Sequence, residues 1–156
     1  PGTSGLFLQS AGAGADLVWA AATDVVMLAT PLQKTTRTTT VTWTNIDIST
    51  DTGADTAKIA ILGVRIQAQT DAASQSSAYQ GSYCDFRKGG SAVTAYLARC
   101  QALTYGTTGG VDNIGTASGA VVLVETDATE ICQYTLADTG TVTTRQLDIH
   151  LLGYVK

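Results

Sequence analysis

Apolar and polar residues alternate along most of this chain, and no stretch keeps a sustained helical period, so the pattern predicts strands throughout. Residues 24–30 read as a strand that Pro31 stops. In the next segment Val41 and Trp43 are apolar, with Thr40, Thr42 and Thr44 between them. After Asn45 the phase flips, and Ile46 and Ile48 carry the apolar positions. A one-residue change of phase predicts a β-bulge near Thr44-Asn45. Residues 57–69 read as a long strand. Its first half, Ile59-Ala60-Ile61-Leu62, is apolar on both faces, and its second half alternates Val64, Ile66 and Ala68 with Arg65, Gln67 and Gln69. Such a strand is expected to be central and to lie where subunits meet. Further strands follow at 82–86, 91–103, 120–125, 131–136 and 143–155, with a glycine-rich irregular stretch over 105–119. Seven or eight strands at this spacing predict an all-β fold, an antiparallel β-sandwich of jelly-roll type. The sandwich is expected over residues 24–156, behind a linker or shaft-end segment at 1–23.

Composition sharpens the expectation of self-association. Of the 156 residues 44% are hydrophobic but only 14% are charged, against roughly 25% in an ordinary soluble domain. Surface that is neither charged nor buried in one small sandwich asks to be covered by further copies. Ile59, Ile61, Leu62 and His150 are the candidate interface residues. The net charge is −4, and the nine basic residues form no stripe that could follow a phosphate backbone, so nucleic acid is not an expected partner. No apolar run reaches the ~20 residues that span a bilayer, and no membrane insertion is expected. The N-terminus has no signal-peptide pattern and no initiator Met, and reads as the cut end of a longer chain. Cys84, Cys100 and Cys132 have no metal-ligand spacing and read as small buried thiols, with a single disulfide left open.

The chemistry-bearing residues point away from catalysis. His150, the one histidine, shares a strand face with Asp148, but no nucleophile elbow accompanies them. The acids Asp51, Asp55, Asp71, Asp112, Asp127 and Asp138 sit among turn formers, where carboxylates bond the local backbone. Asp51-Thr52-Gly53-Ala54-Asp55 lacks the alternating ligands of a calcium loop. Gly12-Ala13-Gly14 lacks the helix of a dinucleotide site. The expectation is therefore no enzyme, no metal and no cofactor. Loops of an antiparallel sandwich alternate between its two ends, which places 49–56, 87–90 and 126–129 at one end and 71–81, 105–118 and 137–142 at the other. The second set carries Tyr79, Tyr105, Asp112 and Asn113, the candidate ligand residues, since rings and short polar side chains on loops suit a saccharide.

One resemblance adds to these readings. The segment Gly5-Leu6-Phe7-Leu8-Gln9-Ser10-Ala11-Gly12-Ala13-Gly14-Ala15-Asp16-Leu17-Val18-Trp19 is an apolar strand, a small-residue turn and a second strand. The tryptophan strand at 42–48, Gly53-Ala54-Asp55, the strand at 57–62, Phe86-Arg87-Lys88-Gly89 and Leu151-Leu152-Gly153-Tyr154 follow it. Together they resemble the C-terminal tip domain of bacteriophage tail fibres and related virion appendages. Arg99-Cys100 within a strand and the long glycine-rich stretch after Tyr105 depart from that pattern. The resemblance implies a homotrimeric receptor-binding protein that is exposed on the virion and folded in the host cytoplasm. It implies a fibre at its N-terminal side and a host-surface glycan or protein as receptor. The alternatives are a structural trimerisation or capping domain of a fibre or spike, and a glycan-binding module of a bacterial surface protein.

Overall fold

The computed structural model describes residues 6–10, 17–21, 24–70, 79–92, 98–105 and 114–156. They form ten strands and no helix: β1 (Leu6–Ser10), β2 (Leu17–Ala21), β3 (Val25–Arg37), β4 (Val41–Asp47), β5 (Ile59–Thr70), β6 (Tyr79–Lys88), β7 (Ala98–Tyr105), β8 (Ile114–Glu125), β9 (Ile131–Thr139) and β10 (Val142–Val155). β1 and β2 pair only with each other. The other eight make two four-stranded antiparallel sheets, β3-β10-β5-β8 and β4-β9-β6-β7, packed as a β-sandwich.

Period-2 alternation builds the core. On β5, Ala60, Leu62, Val64, Ile66 and Ala68 point inward, and the intervening residues point out. From the second sheet Ile46, Cys84, Phe86, Cys132, Tyr134 and Leu136 meet them, and Leu147, Ile149 and Leu151 complete the layer from β10. Large side chains of this kind stabilise by roughly 1.5–3 kcal/mol each when fully buried. The expectation that β5 is central is met, since it lies between β10 and β8.

Two local readings need correction. Pro31 does not stop a strand: β3 runs through it to Arg37. β3 is the sheet edge, and between the pairs Leu32↔Leu151 and Met27↔Gly153 it carries three more residues than β10. A proline costs no ladder bond in such an edge bulge. Gly153 lets β3 come close there, since a Cβ on it would lie 2.3 Å from the Val26 carbonyl oxygen. The irregular stretch also ends earlier than its glycines suggest, because Gly115 and Gly119 belong to β8. The expected bulge in the tryptophan strand is present, placed slightly earlier: β4 carries one extra residue against β9 between Val41 and Thr44.

The register fixes which ends lie together. Thr70 is opposite both Ile114 and Val142, while Tyr79 is opposite Tyr105 and Gly81 opposite Thr139. At the other end Ile59 is opposite Glu125 and Val155, and Asp47 is opposite Ile131. That end is closed by hydrogen bonds. Glu130, at φ 63° and almost buried, accepts from the Thr52 hydroxyl and the Ala57 amide, and the Thr126 hydroxyl donates to the Ala57 carbonyl.

Candidate functional site

The structure brings two of the four expected ligand residues together in the backbone register. Tyr79 and Tyr105 are backbone partners in the first pair of the β6–β7 ladder, and Tyr79 is 63% exposed. Both are strand residues rather than loop residues. Asp112 and Asn113 lie outside the described residues. Beneath this end an ion pair ties three strands together. Arg145 Nε donates to Asp138 Oδ1 at 3.0 Å, and the Ser82 hydroxyl donates to the same oxygen at 2.7 Å. Asp138 therefore belongs to a strand-to-strand bond, not to a turn.

Of the expected interface residues, Ile59, Ile61 and His150 share the outer face of β3-β10-β5-β8, while Leu62 points inward and is fully buried in the core. The run Ile59-Ala60-Ile61-Leu62 hides this split, because a continuous apolar stretch gives no phase. The outer face has rows set by the register: Glu125-Ile59-Val155-Val25, then Leu123-Ile61-Gly153-Met27, then Val121-Gly63-His150-Gln33, then Gly119-Arg65-Asp148. Val25, Met27, Val121 and Leu123 are each about 60% exposed. Ile61 beside them is almost covered. Where Gly63 and Gly119 leave out side chains, a shallow groove of about 800 Å³ opens, walled by Arg65, Val121, Asp148, His150 and Leu152. Asp148 and His150 share this groove, yet the carboxylate accepts from the Thr36 hydroxyl and the Gln146 amide, both at 2.8 Å, and not from the imidazole.

The outer face of β4-β9-β6-β7 is built from different material. The β4 bulge turns Trp43 outward, and the Arg87 guanidinium lies 4.0 Å above its ring. Arg87 Nε donates to Gln133 Oε1 at 2.8 Å, and Gln133 Nε2 donates to Asn45 Oδ1 at 2.8 Å. One row on, Arg99 grips Asp85 with two bonds, Nε to Oδ1 at 2.6 Å and a terminal nitrogen to Oδ2 at 2.8 Å. Its guanidinium lies 4.3 Å from the Tyr83 ring. Asp85 is nearly buried by this contact. Sequence reasoning missed the set. Its members come from 43 to 133 in number, and Arg87 reads from the sequence as part of the turn 87–90, although β6 runs through it to Lys88. The one local signal is the phase flip beside Trp43.

The three thiols are free and inward-facing. Cys84 and Cys100 are opposite each other across β6 and β7. Burial raises the Cys84 and Cys100 thiols above their ordinary range, and raises Cys132 to about 12. They are inert as nucleophiles at neutral pH. Among the described residues no group of three His, Cys, Asp or Glu side chains is placed to hold a metal ion, and no helix is long and apolar enough to cross a membrane. Comparison with known proteins finds no family model and no curated protein that this chain matches.

Proposed function

We propose that this domain is the tip of a virion fibre, a homotrimer that attaches the particle to a host-surface receptor, and that its sandwich is a jelly roll. The observation that carries the reading is the apolar end of the outer face of β3-β10-β5-β8. Four large side chains there are more than half exposed around Ile61, on a sheet face that one chain leaves open. Covering the exposed part of each recovers on the order of 1–2 kcal/mol, which favours association of copies. The β1–β2 hairpin adds to this. Its sequences LFLQS and LVWAA are largely apolar, it joins neither sheet, and an isolated two-stranded hairpin is marginal in water. A fibre shaft or neighbouring copies would give it cover.

The strand orders support the jelly roll. From β3 to β10 the chain changes sheet at every connection except β6 to β7, as two interlocked Greek keys require. The receptor is proposed as a glycan, bound with three-fold multivalency that raises the effective affinity of weak single sites. The proposal assigns no enzymatic activity and no cofactor. It places the domain at the particle surface, with the remaining fibre on its N-terminal side.

Light scattering on a sizing column tests the assembly, with about three chain masses expected, and host-cell binding then tests attachment. A monomer at micromolar concentration would sink the trimer and leave an isolated glycan-binding module as the better reading. A trimer that binds no host cell would leave a structural capping domain.

A further inference from the structure

We propose that the β1–β2 hairpin of each copy lies across the apolar end of the outer face of β3-β10-β5-β8 on the next copy, so that three copies exchange hairpins around a ring. The proposal deepens the trimer reading and rests on it for the neighbouring copy. Which segment covers the face is argued from the chain itself.

The patch and the hairpin match in character and size. Val25, Met27, Val121 and Leu123 are each about 60% exposed on the patch. Among the described residues the hairpin pairs with no other strand. Its register sets Leu6, Leu8 and Ser10 opposite Ala21, Trp19 and Leu17, and directly opposed residues share a face. Ser10 is the one polar residue on that face, and neither strand holds a charge. Five residues of strand are about 17 Å long. The patch spans about 14 Å along β8, from Val121 to Glu125, and about 14 Å across the four strands. Each chain has one hairpin and one patch, so a head-to-tail exchange closes with every patch covered.

The connection decides whose face is covered. Asp24 is fixed against the end of β10. Its carbonyl accepts from the Lys156 amide at 3.1 Å, one step beyond the pair Val25↔Val155, and its carboxylate lies 3.7 Å from the Lys156 ammonium. The pairing therefore continues to Asp24, and the chain enters β3 along the strand from beyond the end of the sheet. Only Ala22 and Thr23 separate Asp24 from Ala21, the last residue of β2. The three steps between them span at most about 11 Å, and packed β layers lie about 10 Å apart. To lie on its own sheet the hairpin would need all three steps fully extended and at right angles to β3, with no residue left for either corner. A neighbour's face carries no such constraint.

The groove of about 800 Å³ beside Val121 gives the hairpin an anchor point. Val121 and Leu152 wall it on its apolar sides. At its polar side each Asp148 carboxylate oxygen accepts one bond and has room for another. A tryptophan suits such a place, because its ring buries a large apolar area and its N–H seeks an acceptor. Trp19 is the one tryptophan in the hairpin.

Crosslinking of the full chain tests the exchange. Leu8→Cys and Leu123→Cys are placed in separate chains, one with a larger tag, which are co-expressed and treated with a short bismaleimide. Cys84, Cys100 and Cys132 are buried and should not react. The expected product is a covalent pair of one small and one large chain, absent when only one of the two chains is substituted. Trp19→Asp should weaken association at least about thirtyfold by sedimentation, with the far-ultraviolet dichroism of the strands unchanged, and Trp19→Phe should restore most of it. A trimer that gives no mixed adduct, or that Trp19→Asp leaves equally tight, overturns the exchange while the trimer stands. A chain carrying both cysteines that crosslinks only within itself overturns it in favour of cover by its own hairpin. A monomer of the unsubstituted chain sinks the trimer reading and the exchange with it.

Discussion

On one outer face of this sandwich Val25, Met27, Val121 and Leu123 stand largely exposed around a groove floored by glycine. On the other, Trp43 and Tyr83 are capped by guanidiniums, and the polar groups beside them are already paired. The backbone is the same in both, two antiparallel sheets of four strands. The difference lies in what exposure costs. An uncovered apolar face is penalised until another surface meets it, whereas a face of paired polar groups and half-covered rings is stable in water and keeps its geometry. The first suits permanent association, the second standing exposed to water.

The largest expected effect comes from spoiling the apolar face. Leu123→Asp puts a carboxylate in the row with Ile61 and Met27. Burying it unpaired at a contact between copies costs several kcal/mol, so the mass by light scattering should fall from about three chains to one. Should the mass hold, the contact between copies lies elsewhere. On the other face the partners Asp85 and Arg99 give a signed test. Asp85 is the more buried of the two, with side-chain exposures of 11% and 32%. Arg99→Ala should therefore destabilise more than Asp85→Ala, because it strands the less hydrated charge. Each loss should fall in the range of about 1–3 kcal/mol in urea unfolding, and the mass should not change. The reverse order would mean that the pair is not what holds Asp85. A milder change sharpens the first face. A Cβ on Gly63 would come within 3.1 Å of Leu152, so Gly63→Val narrows the groove and should weaken association up to about tenfold, or roughly 1.4 kcal/mol, by sedimentation.

What the sequence could reveal follows from the range of each signal. Period-2 alternation is local, so β4, β5, β9 and β10 could be read from their own residues, and the phase change after Trp43 exposed a bulge. Loop ends followed from strand parity. Pro31 misled because its meaning depends on whether a strand is an edge, which only the pairing of β3 with β10 decides. Leu62 reads as an interface residue because four apolar residues in succession carry no phase, whereas the structure turns it into the core. The Trp43–Arg87–Gln133 set was invisible for a deeper reason. Its contacts join three strands, and no window of sequence contains them.

Acid should act at neither face but at the end where 48–58 and 126–130 meet, and with the smallest effect. The Ser49 hydroxyl and amide hold the Asp47 carboxyl below its ordinary value of 3.8. The Tyr154 hydroxyl and the Lys156 ammonium do the same for Asp55, which in turn raises Lys156 above 10.5. A carboxylate more acidic in the folded chain leaves the folded state with fewer bound protons, so its contribution is present above 3.8 and is lost as pH falls through the folded value. For Lys156 the sign reverses: the contribution is present below 10.5 and is lost as pH rises through the folded value. Melting temperature should then be flat from about pH 5 to about pH 9 and decline modestly beyond either limit. Asp47→Asn should flatten part of the acid arm, and Asp55→Asn part of both arms. Both groups are solvent-exposed, so the declines stay small. Asp127 sits at the same end, its carboxyl also held below 3.8 by bonds from Ile131 and Thr129. An acid arm that survives in Asp47→Asn, Asp55→Asn and Asp127→Asn combined would therefore move the titrating groups away from this end.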